Sequence, residues 1–342
     1  MDAPLDLVGH STETAFHSNE LAIEHVEPIS RSDIWFDDGN IVLQAENVQF
    51  RFFQGILAAY SPFFKDVFSI PQPAAGADVV EGCPVMRLPE KAADVNYMLS
   101  FILESKSSKL TPSVADIVAA LKMGHKYLIA ILWDDAVERL RYEFPERLDE
   151  YQERRDKSTV YTRIRFDKDC PGRPLHLVDA VKDAGLERIL PALCHRVVEK
   201  STLDTLMHGP TSVARLEDPS LQTRIMLLGA RAKRPSIRAR LMRRAYSEPR
   251  TVPSECLSPQ RCQDIRRSKL IRCLQRIEED AKSVLFRPWP TDGQTKQKRP
   301  LCWLCVHEMQ EKLAAEQQAI WDELPSLFGL PSWAELKDHV LE

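Results

Sequence analysis

Glycine is scarce in this chain of 342 residues, and no two of its twelve glycines lie two or five positions apart. That spacing excludes the glycine-rich fingerprint of dinucleotide-binding proteins and the phosphate-binding loop of nucleotide triphosphatases. A Gly-x-Ser-x-Gly elbow and a His-Glu-x-x-His metal helix are also missing. The nine histidines and the many carboxylates stand at no spacing typical of a catalytic site. We therefore expect a protein without enzymatic activity.

The chain also lacks a long apolar run and a basic amino-terminal leader. The apolar stretch from Leu128 to Trp133 is far shorter than the roughly 20 residues that cross a bilayer. Residues 1–30 contain six acids and neither lysine nor arginine, which is unlike a secretory signal. We expect a flexible arm over 1–30, no membrane partner, and a cytoplasmic or nuclear location.

An apolar share of 44% with 28% charged residues is typical of a globular protein, and the length favours more than one domain. Eight cysteines without a secretory leader indicate a reducing compartment, where disulfides are uncommon. The thiols are therefore core side chains or metal ligands.

The clearest local pattern lies between residues 31 and 145. Strands are predicted around Ile41–Leu43 and Val48–Phe52, followed by an apolar helix over 56–68 and a further strand over 85–88. Three helical stripes come next, and Thr111-Pro112-Ser113 marks the start of one of them with a proline and capping hydroxyls. An early sheet with later helices predicts an α+β domain.

This block resembles the BTB/POZ fold, a small β-sheet with surrounding helices. The residues that carry the resemblance are Asp33, Leu57, Ala58, Ala59, Ser61 and Phe64. The segments 37–45 and 81–84 are similar to the corresponding segments of the BTB proteins abundant in mushroom-forming fungi. Where that family has Val-His-Lys or Val-His-Arg, this chain has Phe52-Phe53-Gln54, so the family's groove histidine is missing.

The sequence patterns and the resemblance together imply four regions, and the resemblance implies a function in protein binding. The predicted regions are a flexible arm (1–30), a BTB/POZ domain (31–145), a helical extension (146–255) and a Cys-containing helical module (256–342). BTB domains favour homodimers, and many deliver substrates to cullin-type ubiquitin ligases. The expected function is therefore a self-associating adaptor, and a module that only oligomerises is a weaker alternative.

Two groups of residues are candidates for the partner interface. Ile34, Trp35 and Phe36 place apolar area beside the first strand, although they can equally fill the core. Val79, Val80 and Glu81 match the short hydrophobic-x-Glu element through which BTB adaptors contact cullins.

Four cysteines near the end of the chain are spaced like metal ligands. Cys302 and Cys305 are separated by two residues, as in a zinc knuckle, and Cys256 and Cys262 form a looser pair upstream. The fungal family has a similar arrangement of cysteines, together with a segment that resembles Trp321 to Leu336 of this chain. We predict one structural zinc on four thiolates, with His307 as the alternative to Cys256. Buried thiols without metal are the competing interpretation.

Seven lysines and arginines lie between 231 and 244, and the halves of the chain differ in charge. Residues 1–160 carry a formal charge of −11, whereas 161–342 carry +7. The alternative function is a transcriptional or chromatin regulator that contacts DNA through Arg238, Arg240, Arg243 and Arg244. A solvated helix face opposite the acidic half is the simpler interpretation.

Overall fold

The computed structural model describes residues 28–70, 78–104, 111–157, 163–166, 174–209, 216–246, 252–275, 285–286 and 301–341. The predicted flexible arm therefore lies almost wholly outside the described residues. A five-stranded sheet near the amino terminus is followed by helices, which confirms the predicted α+β class. Among the described helices, none combines the length and the apolar character needed to cross a bilayer.

The sheet has the strand order β1-β3-β2-β5-β4. Its strands are β1 (Ser30–Trp35), β2 (Ile41–Ala45), β3 (Val48–Phe52), β4 (Val79–Val80) and β5 (Cys83–Leu88). Strands β2 and β3 form an antiparallel hairpin, and β2 also pairs in parallel with β5. The edges are β1, parallel to β3, and the two-residue β4, antiparallel to β5. The strands at 41–43, 48–52 and 85–88 lie where the sequence predicted them.

Seven helices lie between residues 54 and 183 of the described part of the chain. Their bounds are α1 (Gln54–Tyr60), α2 (Pro62–Ser69), α3 (Ala92–Glu104), α4 (Val114–Lys126), α5 (Ala130–Glu143), α6 (Leu148–Lys157) and α7 (Pro174–Asp183). The rest of the chain contributes a 3₁₀ turn at Glu187–Ile189 and then α8 (Leu190–Lys200), α9 (Leu203–His208), α10 (Leu221–Tyr246), α11 (Pro259–Gln275), α12 (Trp303–Asp322) and α13 (Leu324–Leu327).

The single apolar helix predicted over 56–68 is two helices, because the chain breaks at Ser61. Pro62 lacks an N–H and disfavours helical geometry at the residue before it, and Ser61 is extended with φ −140° and ψ 112°. The Ser61 side chain then caps α2 by accepting a hydrogen bond from Phe64 N at 3.1 Å. Its hydroxyl also donates to the backbone oxygen of Tyr127, whose ring stacks on Phe64.

The helix start predicted at 111–113 is confirmed. Ser113 and Asp116 form a reciprocal capping box, in which each side chain accepts a hydrogen bond from the backbone N–H of the other residue. Two of the orphan N–H groups at the start of α4 are satisfied in this way.

The carboxyl-terminal segment returns to the first domain and ties the regions together. Trp321 on α12 is buried, donates its indole N–H to the backbone oxygen of Glu146 at 2.7 Å, and packs on Tyr151 of α6. Asp338 accepts hydrogen bonds from Arg141 and from the backbone of Arg188. The buried apolar residues accordingly form one continuous core that includes both the sheet and α12.

Candidate metal centre

Cys256, Cys262, Cys302 and Cys305 converge at one point, and their sulfur atoms all lie within 4.8 Å of one another. The Sγ atom of Cys256 is 3.6 Å from that of Cys302 and 3.5 Å from that of Cys305. A tetrahedron with Zn–S bonds of about 2.3 Å has edges of about 3.8 Å. The predicted ligand set is thus brought together at a size compatible with a zinc ion.

His307, the alternative fourth ligand, does not join this group of sulfur atoms. Its side chain is exposed, and its Nδ1 lies 3.5 Å from a carboxylate oxygen of Glu311 on the same helix. Cys256, which His307 would replace, stands with the other three sulfurs. The geometry therefore favours four sulfur ligands.

In each pair, one cysteine precedes a helix and the other lies in the first turn of that helix. Cys256 lies in a turn closed by its N–H on the oxygen of Pro253, and Cys262 lies in the first turn of α11. Cys302 is the N-cap residue of α12, and Cys305 follows in the first turn of that helix. Because helix amino termini carry a partial positive charge, both pairs lie where a thiolate is stabilised.

The thiols are tuned by burial and by backbone hydrogen bonds. Burial raises the pKa of Cys305 and of Cys256. Burial acts in the same direction on Cys302, but the N–H groups of Cys305 and Leu257 and the Cys256 thiol outweigh it and lower the pKa of Cys302 to about 6. Even without a metal, the site therefore provides hydrogen-bond donors that stabilise negative charge on the Cys302 sulfur.

A buried arginine that the sequence analysis missed borders the four cysteines. Arg266 is 1% exposed and donates through Nη2 to the backbone oxygen of Cys305 at 3.2 Å and to Glu308 at 2.5 Å. Four thiolates on a divalent ion leave a net charge of −2, which a neighbouring guanidinium partly offsets. Arg266 follows Cys262 by four residues and thus shares its helix face, a sequence pattern that could have pointed to it.

The remaining cysteines have other surroundings. Cys83 and Cys194 are buried, Cys273 is half-buried, and all three are free thiols. The Cys83 thiol lies 3.1 Å from the backbone oxygen of Gly39. Cys170 lies outside the described residues. Within the part of the chain that the structure describes, Cys256, Cys262, Cys302 and Cys305 form the one group of potential metal ligands.

The three candidate interface residues beside β1 differ in their surroundings. Ile34 is buried in the core, so for this residue the core-packing interpretation holds. Trp35 is half-buried with the Arg31 guanidinium 4.3 Å from its ring centre, and Phe36 packs against Phe52 and Phe53.

The second candidate element forms an edge of the sheet. Val79 is 60% exposed on β4, the last strand in the sheet order. Glu81 follows with a φ of 49°, and its carboxylate bridges Arg31 and Arg51. Val79 is thus available on the surface, whereas Glu81 is engaged within the domain.

Several cations of the basic stretch hold helices together. Arg240 forms ion pairs at 2.8 Å with Glu316 and with Glu323, which flank the end of α12. Arg231 and Arg234 donate to the backbone oxygen of Val198 near the end of α8. Arg243 and Arg244 are exposed on α10, and Arg238 is half-buried there. Part of the basic stretch therefore connects α10 to neighbouring helices, which the composition alone did not indicate.

A comparison with models of known protein families finds no match, and no curated protein matches the chain.

Proposed function

We propose that this chain is a non-enzymatic protein-interaction adaptor of the BTB/POZ type, which self-associates through its amino-terminal domain. The observation that carries the proposal is the order of elements between residues 30 and 143. A β-hairpin, a pair of short helices and a strand parallel to β2 are followed by α3, α4 and α5. That order is the one that the resemblance at Leu57, Ser61 and Phe64 implies.

Exposed apolar residues of the amino-terminal region support self-association. Val79 on the edge strand β4 and Ile70 after α2 are each about 60% exposed. An edge strand presents unpaired backbone groups, and an exposed apolar side chain on it, here Val79, favours contact with a second chain over contact with solvent. The commonest arrangement of two identical chains is a two-fold dimer, in which this face meets its own copy.

The carboxyl-terminal module is proposed to bind one structural zinc through Cys256, Cys262, Cys302 and Cys305. All four positions of a tetrahedron are then filled by protein atoms, which leaves no place for a reacting water. The ion connects the start of α11 to the start of α12. Its role is therefore to hold the module that packs against the first domain.

The mass of the purified full-length chain tests self-association. Light scattering after gel filtration is expected to give about twice 39.1 kDa at micromolar concentration. A monomer mass across the whole concentration range contradicts the proposal.

A cullin that contacts the exposed Val79 competes with a second copy for the same edge strand, so recruitment of a cullin is the alternative use of this edge. Affinity purification of the tagged full-length chain at moderate salt, followed by mass spectrometry, is expected to recover a cullin. The Val79→Arg variant is expected to lose it while retaining its zinc. If no cullin is recovered with either protein, the ligase connection is withdrawn and self-association stands on the mass measurement alone.

A further inference from the structure

Two of the helices next to the candidate metal centre, α10 and α11, carry an excess of positive charge, whereas α12 carries four acids and one lysine. Residues 231–246 of α10 contain seven lysines and arginines and no acid, and residues 252–275 contain five cations and two acids. Helices α10 and α11 pack against each other. Ten of the twelve cations are arginines, whose planar guanidinium matches the oxygens of a phosphate group.

Some of these cationic side chains make contacts inside the protein, and others face solvent. Arg231, Arg234, Arg240 and Arg266 contact carbonyl or carboxylate oxygens inside the protein. The side chains of Arg243, Arg261, Arg267 and Arg272 are exposed. Of the two acids between 252 and 275, Asp264 on α11 is exposed and is contacted by Gln260. The solvent-facing excess of arginine suits an anionic partner.

An exposed aromatic ring lies at the same end of the module. Trp303 directly follows Cys302 and is 62% exposed, and Leu257, whose N–H donates to the Cys302 sulfur, is 70% exposed. Arg261 is the chain neighbour of Cys262, so Trp303 and Arg261 each adjoin one member of the same group of four sulfurs. The ring is therefore held at the start of α12, and the four sulfurs bring that helix start close to the start of the basic helix α11.

We propose that this surface binds single-stranded nucleic acid, with phosphates on the exposed arginines of α10 and α11 and a base stacked on Trp303. Single strands offer unstacked bases, and proteins that bind them without sequence preference combine a basic track with aromatic stacking platforms. The bases of a duplex are stacked on each other and leave no free face for the ring. An acidic protein partner would also match the charge and can bury an exposed indole, and the absence of oligonucleotide binding would favour it.

Binding is measured by fluorescence anisotropy of a labelled 20-nucleotide oligouridine RNA with the full-length, zinc-loaded chain. Contact with about four phosphates predicts that affinity falls with salt with a slope of about −3 on logarithmic axes. An unlabelled single strand is expected to compete well, and a duplex of equal length poorly. The absence of binding at 50 mM salt, or equal competition by the duplex, overturns the proposal.

Matched variants separate stacking from charge. Trp303→Ala is expected to weaken binding about tenfold, whereas Trp303→Phe retains most of it, because phenylalanine also presents a ring face. The double variant Arg261→Glu with Arg272→Glu is expected to weaken binding strongly and to flatten the salt dependence. The double variant Lys65→Glu with Arg87→Glu makes the same change of net charge on the first domain and is expected to have little effect.

Zinc content and thermal unfolding are measured for each variant, so that loss of the module is distinguished from loss of binding. Equal affinity of the wild type and Trp303→Ala, or an equal loss in both double variants, overturns the proposal.

Discussion

Arg266 donates a hydrogen bond to the backbone oxygen of Cys305 at 3.2 Å, although 39 residues separate them in the chain. The same nitrogen contacts Glu308, and the guanidinium is almost completely buried. A buried charge is tolerated only where it is paired and hydrogen-bonded. The pair therefore belongs to the structure around the four cysteines and not to the protein surface.

Removing this buried cation is expected to destabilise the carboxyl-terminal module. Arg266→Met removes the donor to the Cys305 oxygen and to Glu308. Because Glu308 is half-buried and keeps Lys312 as a partner, the expected cost is about 1–3 kcal/mol. The free energy of unfolding in urea measures the loss. The neighbouring residue provides the control, since Arg267 is exposed and Arg267→Met should change stability by less than about 0.5 kcal/mol. Equal effects of the two substitutions contradict this assignment.

The ion pair between Arg266 and Glu308 is expected to make the stability of the protein depend on pH. Burial raises the pKa of this carboxyl, but Arg266 and Lys312 outweigh the burial and hold the pKa below its usual value. A lowered pKa in the folded state contributes stability above the unfolded value near 4.5, and this contribution is lost as the pH falls through the folded value. The difference in stability between wild type and Glu308→Gln is therefore expected to be largest at neutral pH and to shrink below pH 4.5. A difference that grows on acidification contradicts the sign.

Loss of one sulfur ligand is expected to release the metal. Cys262→Ser is expected to lose zinc and about 4 kcal/mol or more of stability, because loss of a structural metal is among the few large single-residue effects. Cys273→Ser is the matched control, since Cys273 lies on the same helix, outside the group of four sulfurs. Zinc analysis and thermal unfolding of both variants test the prediction. Retention of zinc by Cys262→Ser would remove this residue from the ligand set.

Gly185 permits the close approach of the carboxyl-terminal segment to the 3₁₀ turn. It has a φ of +66°, and a Cβ atom there would lie 3.1 Å from the Cβ of His339. Its backbone oxygen accepts a hydrogen bond from His339 N at 2.9 Å. Gly185→Ala is expected to cost about 1–2 kcal/mol through backbone strain. Gly55→Ala, in a helix with open space around it, is expected to be neutral or slightly stabilising. Thermal unfolding compares the two.

Self-association is expected to depend on the exposed edge of the sheet. Val79→Arg places a charge on the edge strand β4, which opposes pairing with another chain. The variant is expected to reduce the mass measured by light scattering to that of one chain, with the fold unchanged by circular dichroism. Leu203→Arg adds the same charge at an exposed position on α9 and should leave the mass unchanged. If both variants or neither become monomeric, the interface lies elsewhere.

The sequence predicted those features whose cause is local. The alternation around Leu43 and Phe50 marked the hairpin, and Ser113 with Pro112 marked a helix start, because strand periodicity and capping act within a few residues. The break at Ser61 could have been predicted in the same way, because it follows from Pro62. The apolar spacing on both sides of it, however, matches one continuous helix. Spacing alone therefore predicted the wrong number of helices there.

Contacts between distant parts of the chain were only partly predictable. The four cysteines were identified because ligand spacing is itself a sequence pattern. Arg266 was missed because burial of an arginine depends on Glu308 and Cys305, which lie on another helix. For the same reason, the composition of the basic stretch did not distinguish Arg240, paired with α12, from the exposed Arg243.

The metal content of the purified full-length chain tests the central claim most directly. Mass spectrometry of the metals in protein purified without a metal-affinity step is expected to give about one zinc per chain, and removal of that zinc by a chelator is expected to lower the unfolding temperature. A zinc content near zero in a folded protein, with an unfolding temperature that chelators and added zinc leave unchanged, contradicts the four-cysteine metal centre.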